Sequence, residues 1–271
     1  MADTHRIPVG DGSSMYVEEL GDRGKPTVVF GHSLLCDGRM FTDQVIALAH
    51  DHHVINIDFR GHGRSGRPSR AYTMADQGRD YLRVMDALGI ESAIVVGLSM
   101  GGMAAIHLAL AAPSRVTGLV LMDTSASGET FTTQAKYAAL AGSARLLGVR
   151  EFHLAQALPL MFGATYRAAG AGELNLWRER MEALDKVALA RAVWMVSRRP
   201  SMVHRLGEIT APTLVVVGDE DVATPLKYAK ALASALPNAR LEVLEATGHL
   251  STIERPVETT RLIRDFCLSL I

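Results

Sequence analysis

The chain has 271 residues, of which 48% are hydrophobic, and its 28 basic and 29 acidic side chains give a formal charge of −1. This balance offers no electrostatic basis for binding nucleic acid or an anionic membrane surface. The length allows a large core, in one domain with an insertion or in two. We therefore expect a protein that acts on a neutral or small substrate.

The two cysteines, Cys36 and Cys267, lie near opposite ends of the chain and lack the spacing of metal ligands. A disulfide framework is not expected, which favours a reducing, cytoplasmic location. The N-terminal residues show no apolar run typical of a signal peptide, and no stretch has the length of a membrane span. We predict no metal, because no paired metal spacing is found among His50, His52, His53, His62, His153 and His204.

The first half of the chain alternates apolar strands with helical segments. A hairpin is predicted on either side of residues 11–14. Continuous apolar runs are typical of buried parallel strands, whereas apolar residues at helical spacing indicate helices. Pro113 and Gly118 are expected to enclose a turn. The predicted strands are 27–30, 53–57, 93–97 and 119–122, and the predicted helices are 40–49, 73–88 and 103–110.

The alternation stops between residues 125 and 206, where no strand is predicted. The helical segments there are 132–147, 151–160, 173–184 and 187–196. They contain both tryptophans and many methionines, a pattern that usually reflects packing. A helical insertion in an α/β chain is also how lids over active sites are built. We therefore predict a core domain from residues 1–124 and 206–271, and a helical cap (lid) from residues 125–205.

After the insertion, strands are predicted at 213–217 and 241–244, and helices at 225–236 and 256–270. The predicted elements therefore form an α/β protein with a mostly parallel, eight-stranded sheet flanked by helices. The cap is inserted after the sixth strand.

The segment Gly97-Leu98-Ser99-Met100-Gly101 follows a predicted strand and precedes a predicted helix. A G-x-S-x-G match alone is weak, because Gly-Ser turns are common in loops. Between a strand and a helix, however, it indicates a nucleophile elbow. Side chains at Gly97 and Gly101 would collide with the neighbouring strand and helix. The free N–H groups at the start of the helix point toward any negative charge that develops there.

A serine nucleophile needs a base, and the base needs an acid that fixes its tautomer. His249 follows the last predicted strand, and Asp221 lies in the loop after the preceding strand. The order Ser99, Asp221, His249 is the one expected after this elbow. Asp219 and Asp123 are competing acids. We favour Asp221, because Asp219 is better suited to turning the chain.

Two backbone N–H groups are expected to bind the oxyanion of the tetrahedral intermediate. One is that of Met100, directly after the nucleophile. The other belongs to the loop after the first parallel strand, where Leu34 is the candidate and Leu35 the neighbouring alternative. His32, in the same loop, is interpreted as a structural histidine, and a second catalytic base is the alternative. Asp58 is interpreted as a structural anchor.

Together these residues resemble the α/β-hydrolase superfamily, in its group of small capped serine hydrolases, over nearly the whole chain. The resemblance to 3-oxoadipate enol-lactonases and carboxylesterases includes Ser33 and Leu34. Most of the superfamily has glycine at position 33, so this chain departs from the usual pattern in this loop. The superfamily's haloalkane dehalogenases and epoxide hydrolases use aspartate where this chain has Ser99, so the serine argues against both of these activities. The motifs are 31–32, 58–65, 97–102, 218–221 with Pro225, and Gly248-His249 with Glu254-Arg255-Pro256.

The resemblance implies an α/β-hydrolase fold and a serine esterase or lactonase of the carboxylic ester hydrolase class. We expect catalysis by Ser99, Asp221 and His249, no cofactor, and a monomer or homodimer acting on a small, partly apolar ester or lactone. One alternative is hydrolysis of a C–C bond in a ring-cleavage product by the same residues. The other is a small-molecule sensor built on a hydrolase fold.

Overall fold

The computed structural model describes residues 2–170 and 172–271. Their eight strands form a single sheet in the order β1-β2-β4-β3-β5-β6-β7-β8. Strand β2 is antiparallel to both of its neighbours, β1 and β4, and all other neighbouring strands are parallel. This confirms the predicted mostly parallel sheet. The strands are β1 (Asp3–Pro8), β2 (Ser14–Leu20), β3 (Thr27–Gly31), β4 (His53–Asp58), β5 (Ala93–Leu98), β6 (Val116–Met122), β7 (Thr213–Gly218) and β8 (Ala239–Leu244).

The helices include two short ones, α6 and α10, that were not predicted. They are α1 (Thr42–Leu48), α2 (Met74–Ala87), α3 (Met100–Ala111), α4 (Phe131–Leu147), α5 (Glu151–Met161), α6 (Ala164–Ala168), α7 (Gly172–Glu182), α8 (Lys186–Ser197), α9 (Leu226–Ala235), α10 (Ser251–Glu254) and α11 (Pro256–Leu268).

Both faces of the sheet are covered, as a parallel sheet requires. In β3, Val29 belongs to one buried cluster, while Val28 and Phe30 belong to the other, because successive side chains of a strand point to opposite faces. The first cluster includes apolar residues of α2, α3 and α9, and the second includes those of α1 and α11. The continuous apolar runs in the sequence thus reflect burial on both faces.

Five helices, α4–α8, lie between β6 and β7, where the sequence predicts the cap. Trp177 of α7 is 2% exposed and packs in the second cluster, while Trp194 of α8 is 42% exposed. The division into core and cap remains a prediction. Among the residues that the structure describes, no helix is long and apolar enough to cross a membrane.

The predicted turn before β6 is wrong at its second end. Gly118 lies inside β6, which begins at Val116, and pairs with Ile94 of β5. A Cβ atom at Gly118 would lie 2.5 Å from Cδ1 of Leu270, so this glycine admits the C-terminal residues against the sheet. Gly118 therefore reflects close packing within a strand and not a turn.

Candidate active site

Ser99 stands alone between β5 and α3, with φ 52° and ψ −111°. Positive φ is unfavourable for a residue with a Cβ atom, and such strain is typical of functional sites. A Cβ atom at Gly97 would lie 2.5 Å from the carbonyl carbon of Gly101, and one at Gly101 would lie 1.9 Å from the carbonyl oxygen of Gly31. Both glycines thus permit the tight strand-turn-helix geometry that the sequence predicts.

His249 and Asp221 approach each other from the loops after β8 and β7. His249 Nδ1 donates to Asp221 Oδ2 at 2.9 Å. The same oxygen accepts from the Thr224 hydroxyl at 2.7 Å, while Oδ1 accepts from the N–H groups of Ala223 and Thr224. Four donors therefore hold the carboxylate. The proton on Nδ1 leaves Nε2 of His249 with a free lone pair.

The charges of this pair stabilise each other. Burial disfavours the imidazolium of His249, but the charge and hydrogen bond of Asp221, with smaller contributions from Asp123 and Glu254, outweigh burial and raise the histidine pKa above 6.5. Burial also opposes ionisation of Asp221, yet His249 and the surrounding donors lower the pKa of that carboxyl. The pair is thus suited to accept a proton on the imidazole while the carboxylate stays ionised.

The two competing acids have other partners. Asp123, at the end of β6, accepts from the Gly218 N–H at 3.0 Å and from the Ser251 hydroxyl. Burial and the nearby Asp221 carboxylate raise the pKa of Asp123 well above its ordinary value. Asp219 accepts from the Thr247 N–H at 3.2 Å, which agrees with its interpretation as a turn residue.

The predicted oxyanion donors lie in the loop after β3 and at the start of α3. Within the described part of the chain, the N–H groups of Leu34 and Met100 have no hydrogen-bond acceptor. The Ser33 N–H points instead to the Met40 sulfur at 3.3 Å. Leu35 has φ 67°, so the loop turns sharply just after Leu34.

His32 uses both ring nitrogens in the loop structure. Its Nε2 accepts from the Phe59 N–H at 2.9 Å, so Nδ1 carries the proton and donates to the Ser33 carbonyl at 2.8 Å. Burial lowers its pKa. Asp58 is likewise an anchor, since it accepts from the Gly38 N–H and from Arg64. Neither is arranged to act as a second base.

Ser99 and His249 line a cavity of about 180 Å³ between the sheet and the predicted cap. Most of its other walls are apolar side chains of α4, α5, α7 and α8. A larger hollow of about 890 Å³, lined largely by charged residues, contains neither Ser99 nor His249. The apolar wall comprises Leu34, Leu35, Met103, Leu140, Ala141, Ala144, Val149, Leu154, Ala157, Leu160, Met161, Met181, Leu189, Val193, Val196 and Ala223.

Three residues at the site were not identified from the sequence. Thr224 donates to the Asp221 carboxylate. The Ser33 hydroxyl lines the cavity, is buried and has no partner among the described residues. Glu254 is a buried carboxylate next to the His249 loop. Ser33 and Glu254 lie in motifs already noted, so their positions were signalled but their roles were not.

No group of three or more histidine, cysteine, aspartate or glutamate side chains in residues 2–170 and 172–271 is arranged to hold a metal ion.

Residues 26–256 match the family model of the alpha/beta hydrolase fold, and the chain belongs to this family. The chain is 27% identical to 3-oxoadipate enol-lactonase 1 of Acinetobacter baylyi, with both chains covered completely. It is 30% identical to a putative carbamate hydrolase RutD of Azorhizobium caulinodans, covering 83% of this chain and 84% of that protein.

A 2-hydroxy-6-oxononadienedioate/2-hydroxy-6-oxononatrienedioate hydrolase of Cupriavidus pinatubonensis is 31% identical over 81% of this chain and 77% of its own length. Among solved structures, the enol-lactonase from Burkholderia xenovorans LB400 superposes with a TM-score of 0.88 at 30% identity, covering 97% and 99% of the two chains. The chain is thus a hydrolase of this family with enol-lactonase relatives.

Proposed function

We propose that this protein hydrolyses a carboxylic ester or lactone of a small, partly apolar substrate through an acyl-enzyme on Ser99. The observation that carries the proposal is that Ser99, a serine with positive φ, lines the same mainly apolar cavity as His249, which donates to Asp221 at 2.9 Å. The similarity to enol-lactonases supports the lactone or ester bond as the target.

In the proposed reaction, Ser99 Oγ attacks the acyl carbon and passes its proton to His249 Nε2. The Leu34 and Met100 N–H groups bind the oxyanion, because both lack another acceptor. His249 then protonates the leaving alcohol, the C–O bond breaks and the acyl group remains on Ser99. Water then attacks the acyl carbon and gives a proton to His249. His249 returns this proton to Ser99 Oγ as the bond between Oγ and the acyl carbon breaks and the acid is released. Asp221 stabilises the imidazolium throughout.

The cavity favours a small acyl or ring portion, because its volume is about 180 Å³ and its walls are mainly apolar. The predicted cap, residues 125–205, forms most of that wall and would select the substrate. A carbamate is a second candidate substrate, supported by the similarity to the putative carbamate hydrolase. The C–C bond of a ring-cleavage product is another, supported by the similarity to the 2-hydroxy-6-oxononadienedioate/2-hydroxy-6-oxononatrienedioate hydrolase.

The test combines turnover with covalent labelling. Wild type, Ser99→Ala and the control Ser269→Ala, whose hydroxyl only donates to the Phe266 carbonyl, are assayed on short p-nitrophenyl esters and aliphatic lactones. A fluorophosphonate, which traps activated serines, is followed by intact mass. We expect turnover and one label in wild type and control, and neither in Ser99→Ala.

Labelling at Ser99 without ester or lactone turnover would refute the substrate class, and turnover of an aryl carbamate or a dienone would then identify the second candidate. Absence of both labelling and turnover in folded protein would refute the serine mechanism and favour a sensor. In that case a ligand-dependent shift in melting temperature is the remaining readout.

A further inference from the structure

Glu254 ends α10 and lies buried between the His249 loop and the predicted cap. Its Oε2 accepts from the Gly248 N–H at 2.8 Å and from the Gly163 N–H at 3.2 Å, and Oε1 lies 3.3 Å from the Gly163 nitrogen. One carboxylate therefore joins the residue that precedes His249 to a residue between α5 and α6.

The two segments joined by Glu254 also contact each other directly. A Cβ atom at Gly248 would lie 2.0 Å from the Gly163 nitrogen, and one at Gly163 would lie 2.8 Å from the Gly248 nitrogen. On the other side of His249, the Leu250 N–H donates to the Met161 carbonyl at 3.0 Å. The backbone on both sides of the histidine is thus attached to residues 161–163.

We propose that Glu254 is a positioning residue that fixes the loop of His249, attaches this loop to the cap through Gly163, and places a negative charge beside the imidazole. The proposal rests on the proposed function, in which His249 is the general base. Its electrostatic part, the effect of the Glu254 charge on the pKa of His249, can be measured without a substrate.

Several charged groups contribute to this environment. Besides Glu254, the carboxyl groups of Asp221 and Asp123 lie near His249, and each of the three raises the histidine pKa against the effect of burial to the extent that it is ionised. Around Glu254, Tyr166 of α6 is near, and Glu220 approaches the same cap glycine, Gly163.

Burial raises the pKa of Glu254, although the N–H groups directed at it and the nearby His249 oppose that effect. When it is ionised, Glu254 stabilises the imidazolium of His249. Removing its charge destabilises the imidazolium and lowers the pKa of the histidine.

The experiment compares Glu254→Gln with Glu220→Gln. Glutamine can keep an oxygen at the Oε2 position, where the two backbone donors converge, while it removes the charge. Glu220 also binds the cap, through the N–H of Thr165 at 2.8 Å, but it has no contact with Gly248 and is therefore the matched control. Histidine ring signals are followed by NMR against pH in selectively labelled protein, and His249 is assigned from its loss in His249→Gln.

We expect Glu254→Gln to lower the His249 pKa by about 0.5 unit or more, and Glu220→Gln to leave it unchanged. If turnover is present, the acid limb of kcat/KM moves to lower pH by the same amount in Glu254→Gln alone. An unchanged His249 pKa in folded Glu254→Gln overturns the proposal. Because the NMR measurement needs no substrate, a shifted pKa without turnover would refute the proposed function and leave the electrostatic part of this proposal intact.

Glu254→Asp separates positioning from charge and keeps the positioning role testable if Glu254→Gln does not fold. The shorter side chain keeps the charge but cannot span Gly248 and Gly163 at the present distances. We expect kcat to fall about tenfold or more, with KM and the His249 pKa changing little. An unchanged kcat would overturn the positioning role.

Discussion

The role of Asp221 can be tested by Asp221→Asn, a change that conserves the shape of the side chain. The Oδ1 atom accepts from the Ala223 and Thr224 N–H groups, so in asparagine the carbonyl oxygen takes that side. The amide NH₂ then faces His249 Nδ1, which in the wild-type protein lies 2.9 Å from the Asp221 Oδ2 atom. Two donors cannot share a hydrogen bond, so Nδ1 becomes the acceptor and the proton moves to Nε2.

With a proton on Nε2, His249 cannot take the proton of Ser99. Asparagine at the equivalent position of a serine protease triad lowers kcat about 10⁴-fold. We expect a similar loss here, which corresponds to about 5 kcal/mol of transition-state stabilisation. The assay is steady-state hydrolysis of the best ester or lactone, with thermal unfolding to show that the variant is folded.

The matched control is Asp123→Asn. Burial and the nearby Asp221 carboxylate raise the pKa of Asp123 well above its ordinary value, which favours the neutral carboxyl, and an amide can replace a neutral carboxyl without a change in charge. We expect its activity to fall less than tenfold. If Asp221→Asn keeps activity within tenfold of wild type while Asp123→Asn loses it, the assignment of the acid is wrong and Asp123 takes that role.

Three further predictions follow from the same geometry. Since the pKa of His249 is raised, kcat/KM should fall as the pH drops through a value above 6.5, and an acid limb below 6.5 would contradict this. Gly101→Ala should destabilise the fold by about 1–3 kcal/mol in denaturant unfolding, whereas Gly142→Ala, with open space around its Cβ position in α4, should stabilise it by about 0.5–1 kcal/mol. Ser33→Ala should leave the melting temperature unchanged or higher, because the buried Ser33 hydroxyl has no partner among the described residues. If that hydroxyl donates to the substrate, kcat should fall about tenfold or more, and an unchanged kcat would exclude such a role.

The part of the fold that depends on local pattern was predictable from the sequence. Apolar runs located the central strands, and the helix predicted from residue 73 is α2, which Thr73 and Asp76 begin with a capping box. Parallel strands also explain the site: β5, β7 and β8 end at the same edge of the sheet, so the residues that follow them meet there. That is why Ser99, Asp221 and His249 could be proposed together.

The hydrogen-bond partners of the acids were less predictable, because they depend on backbone direction after each strand ends. Asp123 and Asp221 both follow a strand whose carboxyl end is at this edge. Asp123 has φ 44°, and its carboxyl meets the Gly218 N–H and the Ser251 hydroxyl rather than His249. No local pattern in the sequence gives the hydrogen-bond partners of Asp123. The sequence therefore favours Asp221 but leaves Asp123 as a competing acid, and only the structure gives Asp123 its separate partners.

The contact between Glu254 and Gly163 was beyond sequence reasoning, since 91 residues separate the partners. Periodicity describes single elements, and it contains no information on how an inserted set of helices docks onto a loop. Once docked, however, the two segments impose a residue type on each other: Gly163 and Gly248 leave no room for a Cβ atom, and the N–H groups brought together there require an acceptor. Burying a carboxylate as that acceptor has a free-energy cost, which a glutamine would largely avoid. A glutamate at position 254 is therefore better explained by its charge next to His249 than by the backbone contacts alone.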